Sequence, residues 1–211
     1  MSIGLNKANP PIRLILQEYL STNKRNNQKD YLTDTHKDIS LTIHQHNNIV
    51  VYIMIPACID IGGAWNVLPP GVHEATLEEI EKRFAMSGHR KHLFTGLKKG
   101  IFALHEAGCR KIFLDGSFIT EKPIPADFDV CWDPAGVDHT KLDPVFLDFS
   151  DGRKKQKERF HGEFFPANCL ADGQRFFFDF FQIDKHTGNA KGIICIRFSK
   201  NLQERYNNDN K

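Results

Sequence analysis

Asp127 and Asp129 stand one residue apart in an otherwise apolar run, "DFDVCW", a short loop after Gly116-Ser117, which closes another apolar run, "KIFLD". In a strand, successive side chains alternate between faces. Asp127, Asp129 and Cys131 therefore share one face, and Phe128, Val130 and Trp132 share the other, where they can anchor the strand. Two carboxylates this close resist joint ionisation, and a divalent cation removes that penalty. Mg²⁺ is typically held by one or two carboxylates together with substrate phosphates. Two such ions clamp the attacking and leaving oxygens of a phosphoryl displacement. The glycine lets the backbone approach a ligand closely, and backbone N–H groups with a hydroxyl there suit phosphate oxygens. The plain alternative is a Gly-Ser turn followed by two solvent-facing aspartates on an edge strand.

The neighbouring sequence supplies elements to position these groups. In "LPPGVHEATLEEIEKRF", Thr76 with Glu79 three residues on is a capping box opening a helix. Over 89–106, Leu93, Leu97, Ile101 and Leu104 recur at helical spacing, and Gly108 sits where a helix-terminating glycine belongs. "KIFLDGS" and "FDVCW" read as strands. "KLDPVFLDF" and "DGRKKQKERFHG" read as helical or partly helical. "EFFPANC", "QRFFFDFFQI" and "GIICIRF" read as three more strands, the last two joined by the turn-rich "DKHTGNAKG". The expected class is α/β (α+β), a mixed sheet flanked by helices.

Composition narrows the options. The 211 residues are 40% hydrophobic and 26% charged, with 17 Phe to fill a core. A net charge of +2 gives no general case for a nucleic-acid-coating protein. Cys58, Cys109, Cys131, Cys169 and Cys195 are odd in number and widely spaced, which argues against a disulfide framework or a zinc site and for free thiols in the cytoplasm. No apolar core follows a basic start, so no signal peptide is expected. The longest apolar stretch, residues 49–59, is interrupted by Pro56 and falls short of the ~20 residues a membrane helix needs. Residues 1–53 read as a polar, weakly ordered extension with one short helical patch, "IRLILQEYL". Residues 54–200 read as the domain, and 201–211 as a polar tail. His44-x-His46, in the polar extension, reads as solvated rather than as a metal pair.

The ordered set of helix, apolar strand, Gly-Ser, loop and apolar D-x-D strand resembles the nucleotidyltransferase fold of the DNA polymerase β superfamily, above all its minimal stand-alone bacterial members. "MIPACID", "LPPGVHEATLEEI", "DGSFITEKPIPADFDVCWDPAGVD", "LDPVFLDF", "QKERFHGEFFPA", "DFFQIDKHTG" and "KGIICI" resemble a narrower bacterial family of that kind, over about residues 54–198. The resemblance implies that Asp127 and Asp129 bind Mg²⁺ (or Mn²⁺). It implies that Glu163 in "HGEFFPA" completes one metal site and helps activate the acceptor hydroxyl, although a glutamate departs from the usual aspartate. Asp179 in "FFFDFF", flanked by five Phe and costly to bury alone, is the competing third ligand. Gly116 and Ser117 would hold the β and γ phosphates. Lys122 would neutralise phosphate charge, with an exposed loop lysine the equal alternative. Attack on the α-phosphate of an NTP would release pyrophosphate and leave a nucleotide on the acceptor. The implied start is Met54, the first residue of "MIP", with residues 1–53 an extension or a translated upstream region.

The first expectation is an active transferase whose acceptor would be an RNA, a protein or a small molecule, in a toxin–antitoxin or phage-defence setting. The alternatives are a catalytically idle relative that binds a partner, as an antitoxin does, and a nucleotide sensor. The small size implies that a protein partner or a homo-oligomer supplies the acceptor surface; no membrane is expected. The basic run "GRKKQKERFHG" reads as a solvated helix face rather than a grip on RNA or triphosphate. His73 and His161 read as structural, and "DKHTGNAKG" as a hairpin loop.

Overall fold

The computed structural model describes the backbone of residues 42–46 and 49–53 and the whole of residues 55–198. The expectations about residues 1–41, Met54 and the C-terminal tail lie outside the described residues, as do the side chains of His44 and His46. Strands β1 (Thr42–His46) and β2 (Ile49–Ile53) pair antiparallel. They fall within the stretch read as a weakly ordered extension, and "IVVYI" has the β-branched and aromatic content that suits a pleated ladder.

The main sheet contains β3 (Gly71–Glu74), β4 (Lys111–Asp115), β5 (Asp129–Trp132), β6 (Glu163–Pro166) and β7 (Gly192–Arg197), in the order β3-β7-β4-β5-β6. β4 runs antiparallel to β5 and β7, while β3–β7 and β5–β6 are parallel. The fold is thus a mixed α/β domain. Helices α1 (Leu77–Phe84), α2 (Gly88–Glu106) and α3 (Lys154–Phe160) contribute Ile80, Leu97, Ile101 and Phe160 to the main core. Ile112, Leu114, Val130, Trp132, Phe164 and Ile194 meet them from the sheet. A second, smaller cluster joins Cys131, Phe165, Phe181 and Ile193.

The local signals hold at the helix ends. The Thr76 hydroxyl accepts from the Glu79 N–H at 3.2 Å, and the Glu79 carboxylate accepts from the Thr76 N–H at 2.8 Å. Gly108, at φ +94°, donates its N–H to the His105 carbonyl at 2.9 Å. α2 packs through two glycines one turn apart. A Cβ on Gly96 would lie 1.7 Å from the Phe160 carbonyl oxygen, and one on Gly100 would lie 2.1 Å from the Phe164 ring.

"QRFFFDFFQI" is not a strand. Residues Phe177–Phe180 form a single helical turn, α4. Consecutive phenylalanines have no period of two, whereas a helical turn brings residues i and i+4 to one side. Phe177 and Phe181 accordingly pack on Phe165, with ring centroids at 4.2 and 5.5 Å. "KLDPVFLDF" contains only a 3-10 turn, Pro144–Leu147. Among the described residues, no helix is long and apolar enough to cross a membrane.

Candidate active site

Three adjacent strands each place a carboxylate at one end of the sheet. Asp115, the last residue of β4, is the register partner of Asp129, the first residue of β5. Asp129 is in turn the partner of Glu163, the first residue of β6. Directly opposed residues share a sheet face, so the three carboxylates form one row. Phe113, Cys131 and Phe165 continue that face. Asp127 joins from the chain just before β5: its carboxylate lies 3.8 Å from Lys157 Nζ, which also reaches Glu163 at 2.8 Å.

Gly116 turns the chain over this row. It has φ +85°, and a Cβ there would lie 2.6 Å from Asp129 Oδ2. Only glycine tolerates both the conformation and the approach. Ser117 opens a 3-10 turn, Ser117–Ile119, and its hydroxyl donates to the Asp127 carbonyl at 3.5 Å. The sequence-predicted pair therefore does lie beside both aspartates. The loop that follows is held from within. Buried Arg90 of α2 donates to the carbonyls of Phe118 at 2.7 Å and Thr120 at 3.0 Å, and also to that of Lys122. Lys122 is half-buried, and its charge favours the ionised form of Asp127.

The electrostatics divide the carboxylates. Burial pushes Asp129 well above the ordinary carboxylate range, and the charges of Asp115, Asp127 and Glu163 push it further. Burial and Glu163 raise Asp127, against Lys157, Lys122 and Lys185. Burial raises Asp115, and its ion pair with Lys191 only partly offsets this. Against its own burial, hydrogen bonds from Lys157 and Arg153 hold Glu163 below its usual value. Of the four, Asp129 alone has no ion-pair partner among the described residues.

The cations of the site correct two expectations. The basic run is not simply a solvated face. Lys154, Lys155 and Arg159 pair with Glu158, Asp148 and Asp143, but Arg153 and Lys157 turn into the carboxylates. Their spacing of four residues, just upstream of Glu163, was the available signal. "DKHTGNAKG" is not merely a hairpin loop: it joins α4 to β7 and carries Lys191 onto Asp115 and Lys185 toward Asp127. Lys191 precedes β7 with the parity of Ile193 and Cys195, a signal readable only once that strand is placed. Asp179 is exposed on α4, outside the row; the helical turn spares it the burial its five phenylalanine neighbours suggested. His73 bonds the Pro69 carbonyl at 2.8 Å, and His161 stacks on His92 with centroids 3.9 Å apart, so both have structural contacts.

Among the described residues, no three His, Cys, Asp or Glu side chains converge tightly enough to enclose a metal ion on their own. Among the same residues, Asp129 has no paired cation and Asp127 only Lys157 at 3.8 Å, whereas Glu163 and Asp115 are closely paired with Arg153, Lys157 and Lys191.

The fold and site define a mixed α/β domain with a partly buried carboxylate row, bordered by lysine and arginine, under a glycine turn. The chain belongs to DUF6932, a family of unknown function, whose model matches residues 63–197 and so spans every one of these groups. No curated protein and no solved structure matches the chain.

Proposed function

We propose that the protein is a Mg²⁺-dependent nucleotidyltransferase, moving a nucleoside monophosphate from an NTP to an RNA, protein or small-molecule acceptor. The observation that carries this reading is Asp129: a carboxylate without a cationic partner, between two others in register, with Gly116 turned over it. A half-buried carboxylate in that setting lacks a positive charge, and a divalent cation fits the need. Asp127 and Asp129 would hold it, with phosphate oxygens filling the remaining positions. Bound there, Mg²⁺ (or Mn²⁺) supplies charge neutralisation at the α-phosphate.

The chain's own residues do the rest. The Gly116-Ser117 turn offers N–H groups and a hydroxyl to the outer phosphates, and Lys122 and Lys185 add charge on the Asp127 side. Glu163, kept anionic by Arg153 and Lys157, would help activate the acceptor hydroxyl by accepting a hydrogen bond from it. Catalysis of this kind is positioning and charge stabilisation. A protein partner or second copy would complete the acceptor surface, and a setting in toxin–antitoxin or phage defence suits a small transferase. The five free cysteines support a cytoplasmic location.

A second reading has its own support. Arg153, Lys157 and Lys191 already neutralise much of the row, as in a domain that needs no metal and acts as a partner-binding or nucleotide-sensing module. Thermal unfolding with ATP, GTP, CTP and UTP, with and without Mg²⁺, separates the two. A nucleotide at 100 times its Kd adds about 2.7 kcal/mol, a shift of roughly 5–10 °C for this size. The transferase reading expects a Mg²⁺-dependent shift, absent in Asp129→Asn, and then label transfer to an acceptor. A wild-type protein indifferent to all four nucleotides supports the idle module.

A further inference from the structure

We propose that Trp65 is the stacking platform for the nucleobase of the bound triphosphate, an inference that rests on the transferase reading. Trp65 is 46% exposed, whereas the other tryptophan, Trp132, is 1% exposed in the core. A large indole is ordinarily well buried. This one stands on a short built loop. Ile59 and Val67 close it with two backbone hydrogen bonds, of 2.7 and 3.0 Å. Within it Asp60 accepts from the Gly62 N–H at 2.7 Å, and Gly62 has φ +82°.

The loop is fastened to both segments that flank the carboxylates. On one side, the Asn66 amide donates to the Glu121 carboxylate at 2.9 Å, and the Asn66 carbonyl accepts from the Glu121 N–H at 3.1 Å. Glu121 adjoins Lys122, on the loop that leads from Gly116-Ser117. On the other side, the Asn189 amide donates to the Ile61 carbonyl at 2.9 Å. The Thr187 methyl lies 3.6 Å from where a Gly63 Cβ would be. Two residues beyond Asn189, Lys191 pairs with Asp115. The loop that carries Trp65 is thus fastened to the two segments whose lysines border the carboxylates.

Those lysines recognise phosphate charge and nothing of the base. A planar, exposed ring on a loop fastened to both lysine-bearing segments provides the missing contact. Stacking on an aromatic side chain is worth roughly 5–150-fold in affinity per base and tolerates base identity.

The test compares Mg²⁺-bound ATP, GTP, CTP and UTP with Mg²⁺-bound inorganic tripolyphosphate, by calorimetry, on wild type, Trp65→Ala and Trp65→Phe. Trp65→Ala is expected to weaken the best nucleotide about 10-fold and leave tripolyphosphate unchanged, while Trp65→Phe retains most of the affinity. Nucleotide is also expected to quench wild-type tryptophan fluorescence, and Trp65→Phe, which keeps only Trp132, to lose the quench. Unchanged nucleotide affinity in Trp65→Ala overturns the inference and leaves the transferase reading standing. Equal weakening of nucleotide and tripolyphosphate also overturns it, since the loop rather than the ring then matters. Wild type that binds neither ligand overturns both.

Discussion

Lys191 and Asp115 form the most enclosed ion pair among the described residues, their side chains 11% and 7% exposed, and they come from positions 76 residues apart. Removing one partner of such a pair leaves the other charge stranded, at a cost of about 3 kcal/mol. Lys191→Met is expected to lose that much in urea unfolding at pH 7.5. Adding Asp115→Asn should restore most of it. A double variant as unstable as Lys191→Met would show that Lys191 acts by packing instead.

Asp129 is the opposite case, a carboxyl group with no cation paired to it among the described residues. Its folded carboxyl titrates above the unfolded value of about 3.9. A raised pKa contributes stability below the unfolded value, and this is lost as pH rises through the folded one. In metal-free protein at neutral pH the carboxyl therefore only costs. Asp129→Asn should raise stability by about 1 kcal/mol, or 2–4 °C in Tm, while abolishing any Mg²⁺-dependent nucleotide shift. A Tm that falls would argue that Asp129 has a stabilising partner.

Arg90 joins α2 to the loop at 118–122 by donating to the carbonyls of Phe118, Thr120 and Lys122. Lysine cannot reproduce a planar fork of donors. Both Arg90→Met and Arg90→Lys should lose about 2–4 kcal/mol, read from denaturation midpoints. Full rescue by lysine would reduce the role to charge alone.

His161 provides the clearest acid sensitivity outside the site. Burial, His92 and Lys99 lower its pKa, whereas in the unfolded chain it titrates near the ordinary value of about 6.5. The unfolded chain then binds the proton first, so stability falls as pH drops below about 6.5 toward the folded value. Between pH 7.5 and 5.5, wild type should lose about 1–2 °C more than His161→Asn; asparagine tolerates the positive φ at this position. Parallel pH profiles would remove the His161 contribution.

The glycines of α2 should differ sharply. Gly100→Ala drives a methyl into Phe164 and is expected to cost about 3 kcal/mol. Gly88→Ala, with nothing within 4 Å, should gain about 0.5 kcal/mol. Similar Tm values for the two variants would mean that α2 can shift away from β6.

The capping box at Thr76, helix α2 with its terminating Gly108, strands β4 and β5, and the nearness of Gly116-Ser117 to Asp127 and Asp129 were all legible in the sequence. Each is written within one element or across one short loop, where period, capping groups and backbone freedom act locally. The alignment of Asp115 and Glu163 with Asp129 was decided only by tertiary structure, because strand order and register are not encoded by separation along the chain. The same holds for Lys191 on Asp115 and for Arg90 beneath the loop. Asp179 shows the limit most directly. Its five phenylalanine neighbours suggested burial, but the chain there closes a helical turn onto Phe165 and leaves the carboxylate in water. Hydrophobic neighbours along a sequence specify what a segment must bury, and only the packed surface it meets decides which way each side chain turns.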